Sequence, residues 1–239
     1  VPEIKFELRI RDNIMNATVN LPSQPIRPVD LLPVLQNFSN AIIGAAIPDD
    51  VAISCKPGCA ACCRQMVPLT ETEAFYLAAL IESMPPERQA ALKSRFASVL
   101  DTLQSAGMLD RLRPEALTEA DVRLQAGVDY FKLFLACPFL ENENCGIYPH
   151  RPLSCREYLV TSPPANCAAP SPETIDMVPM PTRVSYVLHR FGDGKGRQPV
   201  KVITLPLLLE FASQNSVEDQ PLVPAPQLFE NFFREVTGS

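Results

Sequence analysis

A chain of 239 residues, 46% hydrophobic and 20% charged, holds enough apolar surface for a sizeable core that needs no covalent staples. A net charge of −6 argues against broad contact with nucleic acid or an anionic membrane, since both require a basic surface. The 25 prolines, about twice the usual share of roughly 5%, point to stiff irregular connections and favour a site built on loops. One domain over residues 1–239 is the expectation.

The first residues read as strand. Ile4, Phe6, Leu8 and Ile10 alternate with charged residues, Asp12-Asn13 interrupts, and Ile14 to Leu21 resumes a β-rich pattern, which predicts a β-hairpin. From Pro28 the apolar set Leu31, Leu32, Val34, Leu35, Phe38, Ile42 and Ile43 recurs at helical spacing, with Asp30 placed to suit the helix dipole. Val51 to Val67 is too broken for regular structure. Thr70 followed by Glu73 forms a capping box, so a helix follows to about Ser83. Pro85-Pro86 ends it and opens another over roughly residues 87–104, with Leu92, Phe96, Val99, Leu100 and Leu103 in one stripe. A further helix is expected over Pro114 to Ala136. Val184 to Phe191 and Val200 to Leu205 read as strands around the loop Gly192-Asp193-Gly194-Lys195-Gly196, and helices close the chain near Leu207 to Gln214 and Gln227 to Val236. The expected fold class is α+β, mostly helical, with small β-hairpins near both ends and an irregular cysteine-rich metal site over about residues 55–167.

The eight cysteines carry the chemistry. Cys55, Cys59, Cys62 and Cys63 form C-x3-C-x2-CC, and an x2 turn aims two sulfurs at one metal ion, which makes Cys59 and Cys62 the best pair. Cys62 and Cys63 are neighbours whose side chains diverge in most backbone conformations, so one tetrahedral ion would rarely take both. A polynuclear cluster, two metals or one non-ligand cysteine would each resolve this. Cys137, Cys145, Cys155 and Cys167 are spaced too widely to make a local site and need the first group. Disulfides are the competing reading, but a disulfide scaffold belongs to small secreted domains. Isolated buried thiols would account for Cys167 but not for four cysteines within nine positions. Thiolate ligation suits zinc and iron–sulfur alike, and the vicinal pair and the surplus over four ligands favour a cluster.

The segment Cys55-x3-Cys59-x2-Cys62-Cys63, followed by Val67-Pro68-Leu69-Thr70 and Glu73, then Cys137-Pro138-Phe139-Leu140, Cys145-Gly146-Ile147-Tyr148, Arg151-Pro152 and Cys155-Arg156-x-Tyr158, resembles the YkgJ-type cysteine-cluster proteins. That family is described as a zinc- or iron-chelating domain, and the resemblance covers roughly residues 55–158. The first gap is three residues here, where the family's usual pattern has two. Flagellin lysine methylases carry a similar cysteine region, so the resemblance also permits an enzyme. It implies a metal ion or cluster as partner, with an iron–sulfur cluster, expected as [4Fe-4S], or zinc as cofactor.

Other candidate chemistry is weaker. Gly192, Gly194 and Gly196 could form a nucleotide-binding turn, but a β-like Val200-Lys201-Val202-Ile203 follows in place of a helix, which favours a hairpin loop. Of the two histidines, His150 is the better spare ligand and His189 reads as structural. Arg151 and Arg156 are candidates to offset thiolate charge through hydrogen bonds to sulfur, or else surface charges. Glu73 reads first as the capping-box residue. No apolar run is long enough to span a bilayer, and the charged first twelve residues do not resemble a signal peptide, so a cytoplasmic protein is expected. The leading functional reading is a metal-binding protein holding an iron–sulfur cluster or zinc through Cys55, Cys59, Cys62, Cys63, Cys137, Cys145, Cys155 and Cys167. The alternatives are a cluster-dependent protein-modifying enzyme, such as a lysine N-methylase binding S-adenosylmethionine, and a structural zinc protein.

Overall fold

The structure, a computed structural model, describes residues 3–10, 13–48, 50–56, 58–171, 173–191 and 201–237. In chain order the elements are β1 (Glu3–Ile10), β2 (Asn13–Asn20), β3 (Pro25–Ile26), α1 (Pro28–Ala46), β4 (Pro68–Leu69), α2 (Glu71–Glu82), α3 (Pro86–Ser105), α4 (Ala120–Lys132), β5 (Leu140–Glu141), β6 (Asn144–Cys145), α5 (Leu153–Glu157), α6 (Val184–Phe191), β7 (Ile203–Thr204), α7 (Leu208–Gln214), β8 (Val223–Pro224) and α8 (Ala225–Thr237). The fold is mostly helical α+β, with its strands in antiparallel pairs: β1 with β2, β3 with β8, β4 with β7 and β5 with β6.

Three apolar clusters hold these elements. The first joins the β1–β2 hairpin to α1, α6 and α8 through Leu31, Leu35, Phe38, Leu188, Phe229 and Phe232. Within it Phe6 meets the rings of Phe38, Phe229 and Phe233 at centroid separations of 5.6, 5.6 and 4.9 Å. The second gathers α2, the first half of α3, α7, Phe139 and Ile147, with Cys137 and Cys145 packed against it. The third sits between the end of α3, the turns at 108–117 and α4. Every fully buried large side chain removes its area from water at roughly 25 cal/mol per Å², so these clusters supply most of the driving force.

The helix starts follow from local chemistry. Arg27 N–H donates to Asp30 Oδ2 at 2.9 Å and Pro28 opens α1, where a missing N–H costs nothing. Glu73 N–H donates to Thr70 Oγ1 at 3.1 Å and Thr70 N–H to Glu73 Oε2 at 2.9 Å, the reciprocal capping box expected for α2. The helix expected over 114–136 is shorter. Three-residue turns occupy 109–116, α4 spans only Ala120–Lys132, and Phe134 at φ 52° takes the chain out of helical geometry.

The C-terminal half corrects two expectations. Val184–Phe191 is a helix, because Val184, Leu188 and Phe191 fall on one face that packs into the first cluster, with Phe191 edge-on to Phe232 at 5.4 Å. The β-branched residues favour a strand locally, and the tertiary environment overrides that preference. The carboxylate of Glu157 accepts from Ser185 N–H at 3.2 Å and so sits at the start of this helix, where negative charge is favoured. Ile203–Thr204 pairs with Pro68–Leu69, not with 184–191, so there is no C-terminal hairpin among the described residues. The glycine loop at 192–196, with Val200, lies outside the described residues.

α6 also carries His189, whose Nδ1 lies 3.4 Å from the Lys201 carbonyl. Burial pushes its pKa down to about 4, so the fold favours the neutral ring. That contribution to stability is present above the ordinary value of about 6.5 and is lost as the pH falls through about 4. A His189→Gln variant should therefore lose less stability than the parent between pH 6.5 and pH 4, read from urea midpoints at matched metal content.

Candidate metal centre

Four segments deliver the cysteines. Cys55 stands on a stretch pinned to residues 160–161, where Ser54 N–H donates to the Val160 carbonyl at 2.9 Å and Ser54 Oγ to the Thr161 carbonyl at 3.0 Å. The chain then turns, with Cys59 N–H donating to the Lys56 carbonyl at 3.0 Å. Gly58 at φ +83° makes that turn, in a region where a side chain would be strained. This turn absorbs the extra residue in the first cysteine gap. Cys62 and Cys63 follow on the short 3-10 stretch Ala61–Arg64, which is kinked at Cys63, where the backbone (φ −74°, ψ 17°) departs from helical geometry.

The second segment is fastened to the first. Cys137 N–H donates to the Cys63 carbonyl at 2.8 Å. Beyond it β5 and β6 form a hairpin whose two loop residues, Asn142 and Glu143, both have positive φ, the twist that matches flanking strands. The hairpin presents Cys145 opposite Leu140, and Arg64 holds its tip through an ion pair with Glu143 at 2.9 Å. Cys155 lies on α5. The buried carboxylate of Glu73 accepts from Leu153 N–H at 2.8 Å and so anchors the first turn of α5 to the start of α2. Cys167 comes last, buried on the short turn Pro164–Ala168, which packs against Ala61–Arg64.

All eight cysteines are free and all eight line one cavity of about 640 Å³. Cys137 is pushed up to about 12, by burial first and then by the charges of Cys145 and Cys62. Burial likewise raises Cys55, Cys145, Cys155 and Cys167. Cys62 is raised furthest by its hydrogen bond with Cys63, with burial second. Without a nearby cation these thiols keep their protons, and a soft metal ion is the partner that would draw them into thiolates. Among the described residues, no three cysteine, histidine or carboxylate side chains already close around a single ion-sized point. A metal ion would have to draw these donors closer together to be held by them.

Arg151 supplies the positive charge. Its guanidinium lies 3.9 Å over the Tyr148 ring and its charge acts on Cys55, Cys62, Cys145 and Cys155. Its Nε is buried with no hydrogen-bond partner, a costly condition for a polar group. Arg156 has a different job. It donates to the carbonyls of Arg151, at 2.8 Å, and Pro149, and to Asn40 Oδ1 at 3.2 Å, so it fixes the 149–151 loop to α1. His150 is not among the residues lining the cavity, and its Nδ1 is 2.7 Å from the Tyr76 hydroxyl. Sequence reasoning did not single out Tyr148, Tyr158, Arg183 or Tyr186, which line the cavity alongside the cysteines. Tyr148 and Tyr158 left a trace, as parts of the Cys145-Gly146-Ile147-Tyr148 and Cys155-Arg156-x-Tyr158 motifs.

No helix among the described residues is long and apolar enough to cross a membrane. No curated protein and no solved structure matches this chain. A family model does match: the CxxCxxCC family, described as "Putative zinc- or iron-chelating domain", aligns with residues 54–168. The matched segment reaches ten residues beyond the stretch quoted from the sequence alone and takes in Cys167, so every cysteine lining the cavity falls inside it. Residues 54–168, just under half of the chain, are thus similar to the CxxCxxCC family of cysteine-cluster domains.

Proposed function

We propose that the protein holds metal through its cysteine thiolates, as an iron–sulfur protein. The observation that carries this reading is the convergence of all eight free cysteines, from four separated segments, on one cavity. The donors are soft sulfurs, which select zinc and iron–sulfur over hard cations. The residues that would hold the metal are Cys55, Cys59, Cys62, Cys63, Cys137, Cys145, Cys155 and Cys167, with Arg151 offsetting their charge. A cavity of about 640 Å³ is far larger than a bare tetrahedral ion needs with Zn–S bonds of about 2.3 Å, and it leaves room for inorganic sulfide. Eight unpaired thiols suit a reducing compartment, in keeping with a cytoplasmic protein.

The test is direct. Purified without oxygen, the protein should carry iron and acid-labile sulfide in equal amounts and absorb broadly in the blue part of the visible spectrum. Stoichiometric zinc with no iron would overturn the cluster and leave thiolate ligation standing.

A further inference from the structure

The cysteines occupy only part of the cavity wall. Ile43, Ile53, Met66, Phe139, Leu159 and Leu205 give it apolar surface, and its volume of about 640 Å³ falls in the range of roughly 300–1,000 Å³ that suits a small organic ligand. Among the described residues the cations on this wall are Lys56, Arg151, Arg156 and Arg183, against one carboxylate, Glu143. Glu143 is already bound to Arg64 at 2.9 Å, and Arg156 is committed to Asn40 and to backbone carbonyls. Lys56, Arg151 and Arg183 have no ion-pair partner among the described residues. On a chain of net charge −6, a concave site lined by cations in this way focuses a field that attracts anions.

Two arginine–tyrosine pairs shape the opening. Arg151 lies 3.9 Å over the Tyr148 ring and Arg183 lies 5.6 Å from the centroid of Tyr186, and all four residues line the cavity. Tyr148 and Tyr186 are 49% and 57% exposed, so both pairs stand where the cavity meets solvent. A guanidinium stacked on a ring keeps its rigid fork of donors available at its edge, in the geometry that matches a carboxylate. We propose that this opening binds a small organic carboxylate, its head held by Arg183 beside Tyr186, with Arg151 and Lys56 adding charge, and its apolar body against the cavity wall.

Arg183 is the residue on which this site turns. It precedes α6, an element that carries no cysteine, and its hydrogen-bond partner among the described residues is Met177 Sδ at 3.8 Å, a weak acceptor. A carboxylate offers the same donors a charge-assisted, two-point contact in its place. The apolar wall decides between anions, because an inorganic ion has no body to set against it and gains nothing from the area it covers. The site uses none of the cysteines, so it stands whether or not the thiols hold metal.

Octanoate, octanol and octylammonium share one apolar body and differ only in the head, which makes them the probes, with inorganic phosphate as an anion that lacks the body. Isothermal calorimetry on the full-length reduced protein, purified without oxygen and with its metal content recorded, should show octanoate binding saturably and at least about tenfold more tightly than octanol, octylammonium or phosphate. Arg183→Met keeps the stem and removes the fork. It should retain the parent's metal content and urea midpoint, weaken octanoate at least about tenfold and leave octanol unchanged. Tyr186→Leu, at an exposed position, removes the ring beside the guanidinium and should weaken octanoate several-fold. Equal affinity for the three eight-carbon probes, or unchanged octanoate binding in Arg183→Met, would overturn the site. Phosphate bound as tightly as octanoate would reduce it to a general anion trap, and loss of metal from Arg183→Met would assign that arginine to the thiolates instead. Octanoate binding to a parent that carries no metal would overturn the metal reading alone.

Discussion

Stripping the metal with a strong chelator under reducing conditions should melt the cysteine segments while leaving much of the helical structure in place. The turns at 54–64 and 137–168 are short, proline-rich and held by scattered backbone bonds, and their thiols line an open cavity instead of filling a core. Site formation is then folding free energy, which for structural zinc in small domains is on the order of 10–16 kcal/mol, as large as the whole stability of an ordinary domain. α1, α8 and the β1–β2 hairpin share an apolar cluster to which the cysteine segments contribute only Leu153, and so have a largely separate source of stability. Limited proteolysis should accordingly cut the metal-free protein within 54–64 and 137–168 at least about a hundredfold faster than the loaded form, with most far-ultraviolet ellipticity kept. Unchanged cleavage after complete metal removal would show that the metal does not hold these segments. Loss of all ellipticity would make the centre the keystone of the entire fold.

The other large effect is expected at Glu73. Its carboxylate is buried and accepts from Thr70 N–H at 2.9 Å, Thr70 Oγ1 at 3.1 Å and Leu153 N–H at 2.8 Å. A Glu73→Ala change removes the return half of the capping box, typically worth about 1 kcal/mol, and strands the buried Leu153 amide, which costs about 1–3 kcal/mol. The total should be a destabilisation of roughly 2–4 kcal/mol. Because Leu153 lies two residues before Cys155 on a helix of five residues, the same change should release Cys155 and lower metal retention. Chemical denaturation and metal content measured together test this. Thr70→Ala, which spares the bond to Leu153, should cost only the cap and keep the metal. Equal metal loss in both variants would remove Glu73 from the positioning of Cys155.

Much of the molecule could be read from local sequence. The hairpin at the start, α1, α2 with its Thr70–Glu73 cap, α3 and the two final helices each announce themselves through a period or a cap that needs no distant partner. The cysteine inventory was also legible, since four cysteines within nine positions and four more downstream point to metal binding before any fold is known. The sequence also gave Glu73 as the capping-box residue and Arg151, with Arg156, as a candidate to offset thiolate charge. What tertiary structure decided is what depends on meeting something far away. Val184–Phe191 carries a strand-like composition and becomes a helix because its Val184, Leu188 and Phe191 face enters the first apolar cluster against α8, and because Glu157 is delivered to its start. Ile203–Thr204 pairs with Pro68–Leu69 across more than a hundred residues, a partnership no local pattern records. Glu73 reads as a cap in sequence, and only the folded chain places the Leu153 amide on its other oxygen. The same holds for the centre itself. Spacing shows that the downstream cysteines cannot make a local site, and the fold joins their segments to the first group through Ser54 on Val160, Cys137 on Cys63 and Arg64 on Glu143. Each of those contacts joins segments whose separation in sequence carries no periodic signal, so only packing in three dimensions could bring them together.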